Sequence, residues 1–318
     1  MNLKYLIKEA RYYKCVDGSL SRIFKKFLFA KTPLKKVVNT PLYNKIYSRR
    51  IKIKSKQIKP YILSIENTNI CNARCIMCPH TKMKRKQKVM NEKSFEKIID
   101  KILKYEENIK FVTITGFGEP LIDREIDKKI KFLNRNYSKK RVVIFTNASL
   151  LTKELAEKLL NLDIFKINFS INGTKEKYKK IMGLDYKKTI DNIEYFLRRR
   201  RELGMQFPLV NISLMILDDN KAEINKFNDY WEDKVDSVMA YYPSDWAGGI
   251  NKLDTGIAKI PFKDKRWPCS TLWRFIAIDV SGNVVMCHRD YESRFKLGNV
   301  LKEPYQKIKE KINKLKQK

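Results

Sequence analysis

Between residues 60 and 245 short runs of apolar, β-favouring residues alternate with longer stretches whose apolar positions recur at helical spacing. The apolar runs fall at 61–65 (YILSI), 111–115 (FVTIT), 142–146 (VVIFT), 164–171 (IFKINFSI), 209–217 (LVNISLMIL) and 236–242 (DSVMAYY). Amphipathic stretches lie between them near 92–104, 124–135, 152–161, 186–203 and 220–231. Near-continuous apolar strands suit a sheet covered on both faces, and parallel strands need crossovers long enough to hold a helix. Six such units predict an α/β fold, a partial (β/α)6 TIM-like barrel, with chemistry at the C-terminal ends of its strands.

The alternation stops after residue 244. Residues 272–288 predict a hairpin turning at Ser281-Gly282-Asn283, and Lys302–Lys318 predicts a closing helix, so 246–318 is expected to form a small α+β extension. Residues 1–59 form a basic, helical N-terminal extension, with seventeen Lys or Arg against Glu9 and Asp17. Its amphipathic stretch from Ser21 to Phe29 suits packing on the main domain or lying on an anionic membrane surface.

Charge widens the range of partners without choosing one. Sixty-eight Lys and Arg against 35 Asp and Glu leave a formal +33, which favours anionic partners, yet lysine is spread along the whole chain as a compositional bias would spread it. No RNA-recognition motif accompanies the charge, so no specific nucleic-acid partner is expected. No run of eighteen apolar residues occurs and the N-terminus lacks the apolar stretch of a secretory signal. The expectation is a cytoplasmic protein, with peripheral membrane association left open by the basic block.

Three of the six cysteines crowd into eight positions directly after the first predicted strand, in Glu66-Asn67-Thr68-Asn69-Ile70-Cys71-Asn72-Ala73-Arg74-Cys75-Ile76-Met77-Cys78-Pro79-His80. Cys71, Cys75 and Cys78 on one tight loop suit an iron–sulfur cubane, each thiolate taking one iron and leaving the fourth open to a ligand. A zinc site would show a second ligand pair, and none lies nearby. A ferredoxin-type electron carrier or redox sensor would close the cluster with a further cysteine.

This C-x3-C-x2-C loop resembles the defining motif of the radical S-adenosylmethionine (SAM) superfamily, and its wording looks like the subgroup with SPASM or twitch C-terminal domains. Further motifs follow in the order the resemblance requires. Gly116-Phe117-Gly118-Glu119-Pro120, after the second strand, resembles the GGEP segment that receives the amino group of the SAM methionine. Met77 stands where relatives contact adenine, and Asn147 and Ser170, ending the third and fourth strands, resemble positions near the SAM ribose and methionine. One departure is Lys180-Ile181-Met182-Gly183, where relatives carry an arginine for the SAM carboxylate; Lys179 and Lys180 are basic residues that could substitute. The resemblance implies a [4Fe–4S] cluster that takes an electron from an external flavodoxin- or ferredoxin-type donor and cleaves SAM to a 5′-deoxyadenosyl radical. That radical takes a hydrogen atom from a small-molecule or peptide substrate, with oxidation or epimerisation of a carbohydrate or peptide the expected outcome.

Cys269 and Cys287 flank the predicted hairpin and, with Asp290 and Gly298-Asn299, resemble the first half of a SPASM or twitch domain, after a Trp246-Ala247-Gly248-Gly249 joining segment. No cysteine follows Cys287, so this ligand set for a second iron–sulfur cluster is incomplete; His288 or Cys15 could complete it. Packing of the hairpin, or a hydrogen-donating thiol, are the other readings of the pair. His80 and His288 each lie within two residues of a cluster-type cysteine, placed to tune a cluster or a substrate.

Overall fold

The computed structural model describes residues 59–244, 246 and 271–317. The basic N-terminal block, Cys15, Gly248, Gly249 and Cys269 lie outside the described residues.

Six strands appear where the apolar runs fall: β1 (Ile62–Ile65), β2 (Phe111–Ile114), β3 (Arg141–Thr146), β4 (Lys166–Ser170), β5 (Leu209–Met215) and β6 (Ser237–Tyr241). Each pairs in parallel with the next. The crossovers carry α1 (Glu92–Leu103), α2 (Ile126–Asn136), α3 (Lys153–Leu160), α4 (Lys175–Met182), α5 (Tyr186–Glu202) and α6 (Ile224–Trp231). Side-chain capping starts several of them: Asn91 accepts from Ser94 N–H, Thr152 from Leu155 N–H and Asp185 from Lys188 N–H. The result is an open, TIM-like partial barrel, as expected. Among these crossover helices α4 alone was not anticipated, because Lys175-Glu-Lys-Tyr-Lys-Lys-Ile-Met is mostly charged and buries just Tyr178, Ile181 and Met182.

Period-two alternation along each strand separates two environments. Leu63, Ile65, Val112, Ile114, Ile144, Ile167, Phe169 and Ile212 join Phe95, Ile98, Ile130, Leu159, Ile193 and Phe196 in the main core under the helices. The inner face carries a smaller cluster of Phe111, Val143, Phe165 and Leu209, with Tyr61, Ile62 and Phe145 against it. Further along β4 and β5 the inner face turns polar: Asn168 Nδ2 donates to Ser213 Oγ at 2.8 Å, and Asn211 Nδ2 donates to Asn168 Oδ1. These buried polar side chains sit within otherwise apolar runs because they face the barrel interior.

The hairpin forms, and its first strand does more than pair with the second. After the short helix α7 (Thr271–Arg274), β7 (Phe275–Ile278) lies parallel to β1, Ile62 opposite Phe275 and Ile65 opposite Ile278. Antiparallel β8 (Asn283–Val285) and β9 (Lys296–Asn299) follow, giving one nine-stranded sheet in the order β6-β5-β4-β3-β2-β1-β7-β8-β9. The turn is held by Asp279, whose Oδ1 accepts from Ser281 N–H and Asn283 N–H at 2.8 and 2.9 Å. Gly282 takes the left-handed conformation there, at φ +82°. The chain then returns to α1 and the turn after it: Lys101 Nζ donates to Val300 O at 2.7 Å, and Tyr305 Oη, at the start of the closing helix α8 (Tyr305–Gln317), donates to Glu106 at 3.1 Å. No helix among the described residues is long and apolar enough to cross a membrane.

Candidate active site

The cysteine loop leaves β1 at Glu66 and is clamped from three sides. On one side, the last carbonyls of α4, which have no partner within their own helix, accept from the loop: Arg74 N–H reaches Met182 O at 2.9 Å and Ile76 N–H reaches Ile181 O at 3.0 Å. Gly183, at φ +69°, ends α4 in the left-handed conformation that leaves those carbonyls pointing outward. On the second side, Asn67 Nδ2 donates to Pro120 O and Asp123 Oδ2 at 3.2 and 2.9 Å, while Glu119 N–H donates to Ile70 O at 2.8 Å. A Cβ on Gly118 would strike the Thr68 carbonyl and stand 2.7 Å from Ile70 O, so glycine is required there for two loops to touch. On the third side, the indole N–H of Trp246 donates to Met77 O at 2.8 Å.

Cys71, Cys75 and Cys78 are half-buried free thiols. Burial pushes the Cys71 thiol up to about 12, and the Ala73 N–H at 3.4 Å from its sulfur only partly offsets this. Burial likewise raises Cys75 and Cys78, and Cys78 and Cys71 lie close enough to Cys75 to oppose its ionisation. Three thiolates therefore need a compensating positive charge in this place. Among the described residues no three His, Cys, Asp or Glu side chains close around a single metal ion. Three separate sulfurs on one loop fit a cluster, whose iron corners are spread apart, better than a lone ion.

The other anticipated residues gather around the loop, several of them already engaged. Glu119 is buried, and its carboxylate accepts from Thr146 Oγ1 at 2.6 Å, Asn147 N–H at 2.7 Å and Leu121 N–H at 3.0 Å. Burial raises its pKa although those three hydrogen bonds pull the other way. Asn147 bridges to the cysteine loop, its Nδ2 donating to Asn72 Oδ1 at 3.0 Å. Ser170 is half-buried, and among the described residues its hydroxyl has only long contacts, to Asn168 Nδ2 at 3.4 Å and Ser213 Oγ at 3.5 Å. The Met77 side chain is packed into the main core. Phe117 meets Trp246 edge-on at 5.6 Å and Tyr291 at 6.0 Å between ring centres. His80 folds back on the loop, its Nε2 3.0 Å from Asn69 O. Lys179 is exposed, and Lys180 pairs with Asp219 at 3.2 Å in the solvent-facing part of α4.

One residue inside the quoted motif carries a role that its sequence did not reveal. Glu66 binds both Arg85 Nη atoms, at 2.7 and 3.0 Å, and also accepts from Phe117 N–H at 3.0 Å and Val280 N–H at 2.9 Å. A single carboxylate thus joins the end of β1, the Gly116–Glu119 loop and the β7–β8 turn. Arg85 stands in a run of exposed lysines that reads as solvated charge.

At the C-terminal side Cys287 is half-buried, with Arg289 N–H 3.4 Å from its sulfur. His288 packs against Phe275 at 5.0 Å, and burial holds its pKa down at about 4, so it is neutral near pH 7. Cys269 lies outside the described residues, so a shared ligand set is not seen. Beside these loops the barrel encloses a cavity of about 540 Å³. Gly116, Phe117, Met215, Tyr241 and Trp246 line one end, and Tyr61, Phe111, Phe165 and Phe275 the other; the three cysteines do not line it.

Residues 65–231 match the radical SAM superfamily. The chain belongs to that superfamily. Residues 269–318 match SPASM, an iron–sulfur cluster-binding domain. The protein is a radical SAM enzyme whose cofactors are a [4Fe–4S] cluster and SAM, and the SPASM match supports an additional iron–sulfur cluster. The GTP 3′,8-cyclase of Clostridium botulinum is 32% identical over 178 residues, 52% of this chain and 50% of that protein. The tungsten-containing aldehyde ferredoxin oxidoreductase cofactor-modifying protein of Pyrococcus furiosus is 26% identical over 171 residues, 53% of this chain and 47% of that protein. The chain thus spans about half the length of these curated relatives. Among solved structures, Streptococcus suis SuiB bound to precursor peptide SuiA superposes with TM-score 0.61 at 18% identity, covering 89% of this chain and 76% of that one. Native anSMEcpe with bound AdoMet and Cp18Cys peptide gives 0.60 at 18%, covering 81% and 84%. BtrN in complex with AdoMet and 2-DOIA gives 0.53 at 17%, covering 81% and 86%. These structural likenesses establish the fold.

Proposed function

We propose that Cys71, Cys75 and Cys78 hold the [4Fe–4S] cluster and that the enzyme abstracts a hydrogen atom from a carbohydrate or peptide substrate lodged in the barrel. When bound, cluster and SAM supply reductive cleavage of the sulfonium and a 5′-deoxyadenosyl radical. The observation carrying this reading is the clamped loop, which holds three free thiols between the end of α4 and the Gly116–Glu119 segment. The chain's own residues position and exclude. The Glu119 carboxylate already accepts from Thr146, Asn147 and Leu121, so the backbone carbonyls of 116–118 would take the larger share of the SAM ammonium. Ser170, with only long contacts among the described residues, can turn its hydroxyl to the nucleoside. The apolar inner cluster lines the far end of the barrel, which limits the water and side reactions a reactive radical would meet there.

The peptide reading draws support from the superposed proteins, since SuiB and anSMEcpe are solved with peptides. An external reductant of the flavodoxin or ferredoxin type, and Cys269 with Cys287 as ligands of the second cluster, belong to the same proposal. So do the boundaries at residues 59/60 and 245/246 and a cytoplasmic location with the basic block on an anionic membrane. Protein reconstituted anaerobically and reduced with dithionite is expected to form 5′-deoxyadenosine from SAM, and C71A, C75A and C78A to form none above background. Iron analysis then separates one cluster, about four irons per chain, from two, about eight. A fully loaded wild type that forms no 5′-deoxyadenosine would exclude the reaction.

A further inference from the structure

One wall of the barrel cavity carries hydroxyls that the fold itself does not use. Leu63, Ile65, Val112 and Ile114 lie in the core under the helices. By alternation Ser64 on β1, Thr113 on β2 and Thr115 just past it face the barrel interior, where all three line the cavity. Ser64 and Thr113 stand opposite each other in register, flanked by Ala277 on β7 and Val143 on β3. They are 5% and 7% exposed, and among the described residues no hydrogen-bond partner meets the hydroxyl of Ser64, Thr113 or Thr115. A buried hydroxyl without a partner is unfavourable, and most such groups in native folds are satisfied.

The lining changes character across the sheet. From β3 to β6 it is built mainly from Val143, Phe145, Phe165, Met215 and Tyr241. Lys166 stands among them, its ammonium 5.7 Å from the centre of the Phe145 ring. The carboxylates that line the cavity are committed to protein donors: Glu66 to Arg85, Asp279 to the turn N–H groups, and Asp290 to Phe295 N–H at 2.9 Å. Uncharged hydroxyls on β1 and β2 therefore look across the cavity at a largely apolar and aromatic wall. A few polar groups set in an apolar pocket are what orients a small ligand.

Building on the radical SAM reading, we propose that Ser64, Thr113 and Thr115 bind the hydroxyls of a carbohydrate ring whose C–H face lies against the β3–β6 wall. A hydroxyl both donates and accepts, so hydroxyl pairs with hydroxyl whichever way each turns. Paired strands stand about 5 Å apart, and alternate residues of one strand about 7 Å. The three side chains thus space their hydroxyls on the scale of one six-membered ring with its exocyclic oxygens. The polarised C–H groups on the other side of such a ring suit the negative face of an aromatic side chain. A peptide is served less well by this wall. β1 lies between β7 and β2, and β2 between β1 and β3, so their main-chain groups are already paired and offer an extended peptide no edge. Thr115 directly precedes Gly116, so the ring hydroxyl that it holds is the one nearest the Gly116–Glu119 segment.

The full-length reconstituted protein is titrated calorimetrically with methyl α-D-glucopyranoside, methyl α-D-galactopyranoside, cyclohexanol and N-acetylalanine N-methylamide. One or both glycosides are expected to bind at least about tenfold more tightly than cyclohexanol, which keeps the apolar ring, and than the amide, which stands for a peptide. S64A and T113V are each expected to weaken the preferred glycoside, and the double variant by at least about tenfold, with cyclohexanol binding unchanged. T113S keeps the hydroxyl and is expected to retain the affinity. Urea denaturation separates this role from a structural one. A hydroxyl with no protein partner can be removed without loss, so T113V is expected to be at least as stable as wild type. No preference for either glycoside over cyclohexanol, tighter binding of the amide, or unchanged glycoside binding in the double variant overturns the proposal. Uncoupled 5′-deoxyadenosine formation, measured on the same wild-type preparation, reports separately on the reaction. SAM cleavage without glycoside preference removes only the carbohydrate assignment, whereas glycoside binding without SAM cleavage leaves the hydroxyl wall standing.

Discussion

The Glu66 carboxylate accepts four N–H groups from three separated parts of the chain, and its side chain and that of Arg85 are 5% and 13% exposed. Breaking such a pair strands a buried charge, which costs far more than the pair itself contributes. E66A is therefore expected to lower stability by about 3–5 kcal/mol, and R85A by a similar amount. The double variant should recover part of the loss, because no lone charge remains; urea denaturation of all three checks this. E66A should also weaken SAM binding, since the Phe117 N–H loses its acceptor. Lys166 offers a second test at this scale. Its folded pKa, about 8, lies below the ordinary 10.5, so between those values the unfolded chain binds more protons and stability rises with pH. Below pH 8 both states are charged and the full cost of burying the ammonium is present. K166M should then be more stable than wild type near pH 7, by a margin that shrinks from pH 8 to 10.5 in parallel denaturation series. A margin independent of pH would show that the ammonium is not strained by burial.

At the scale of elements, α4 and the cysteine loop depend on each other. The helix gains partners for its last carbonyls, and the loop gains a rigid strip that sets the spacing of its thiols. A Cβ on Gly183 would cost about 1–2 kcal/mol for the left-handed backbone, at a position in contact with Arg74 Cβ at 3.4 Å on the cysteine loop. G183A should therefore lower the iron retained after reconstitution and speed its loss in air. Gly204 is a matched control, because it is also left-handed, at φ +61°, but has nothing within 4 Å of its Cβ position. G204A should cost similar backbone energy and leave iron content unchanged. If both variants lose iron equally, general destabilisation is the cause and the clamp is not.

For the molecule as a whole, β7 matters more than its four residues suggest. It covers the edge of β1, the strand that launches the cysteine loop, and Glu66 N–H donates to Ile278 O at 2.9 Å at that seam. A chain ending at residue 270 would leave β1 as an exposed edge and strip Val280 N–H from Glu66. Such a chain is expected to aggregate or to lose the β1 loop, as size-exclusion chromatography and iron content would show. A monodisperse, iron-retaining product would mean that the first six strands are self-sufficient.

Much of this architecture is written locally. The six strands, five of the helices, the hairpin turn and the thiol spacing follow from period, composition and short motifs, all of which act over a few residues. The cysteines and the GFGEP segment were legible because their chemistry needs particular residue types at fixed separations. Tertiary structure alone decided the rest. Arg85 looked like one more surface lysine-type charge until folding brought it to Glu66, nineteen positions away. The place of β7 beside β1 joins segments more than two hundred residues apart, and no local pattern encodes such a register. Asn168, Asn211 and Lys166 interrupt apolar runs for a reason visible only once the sheet curves and gives them an interior to face.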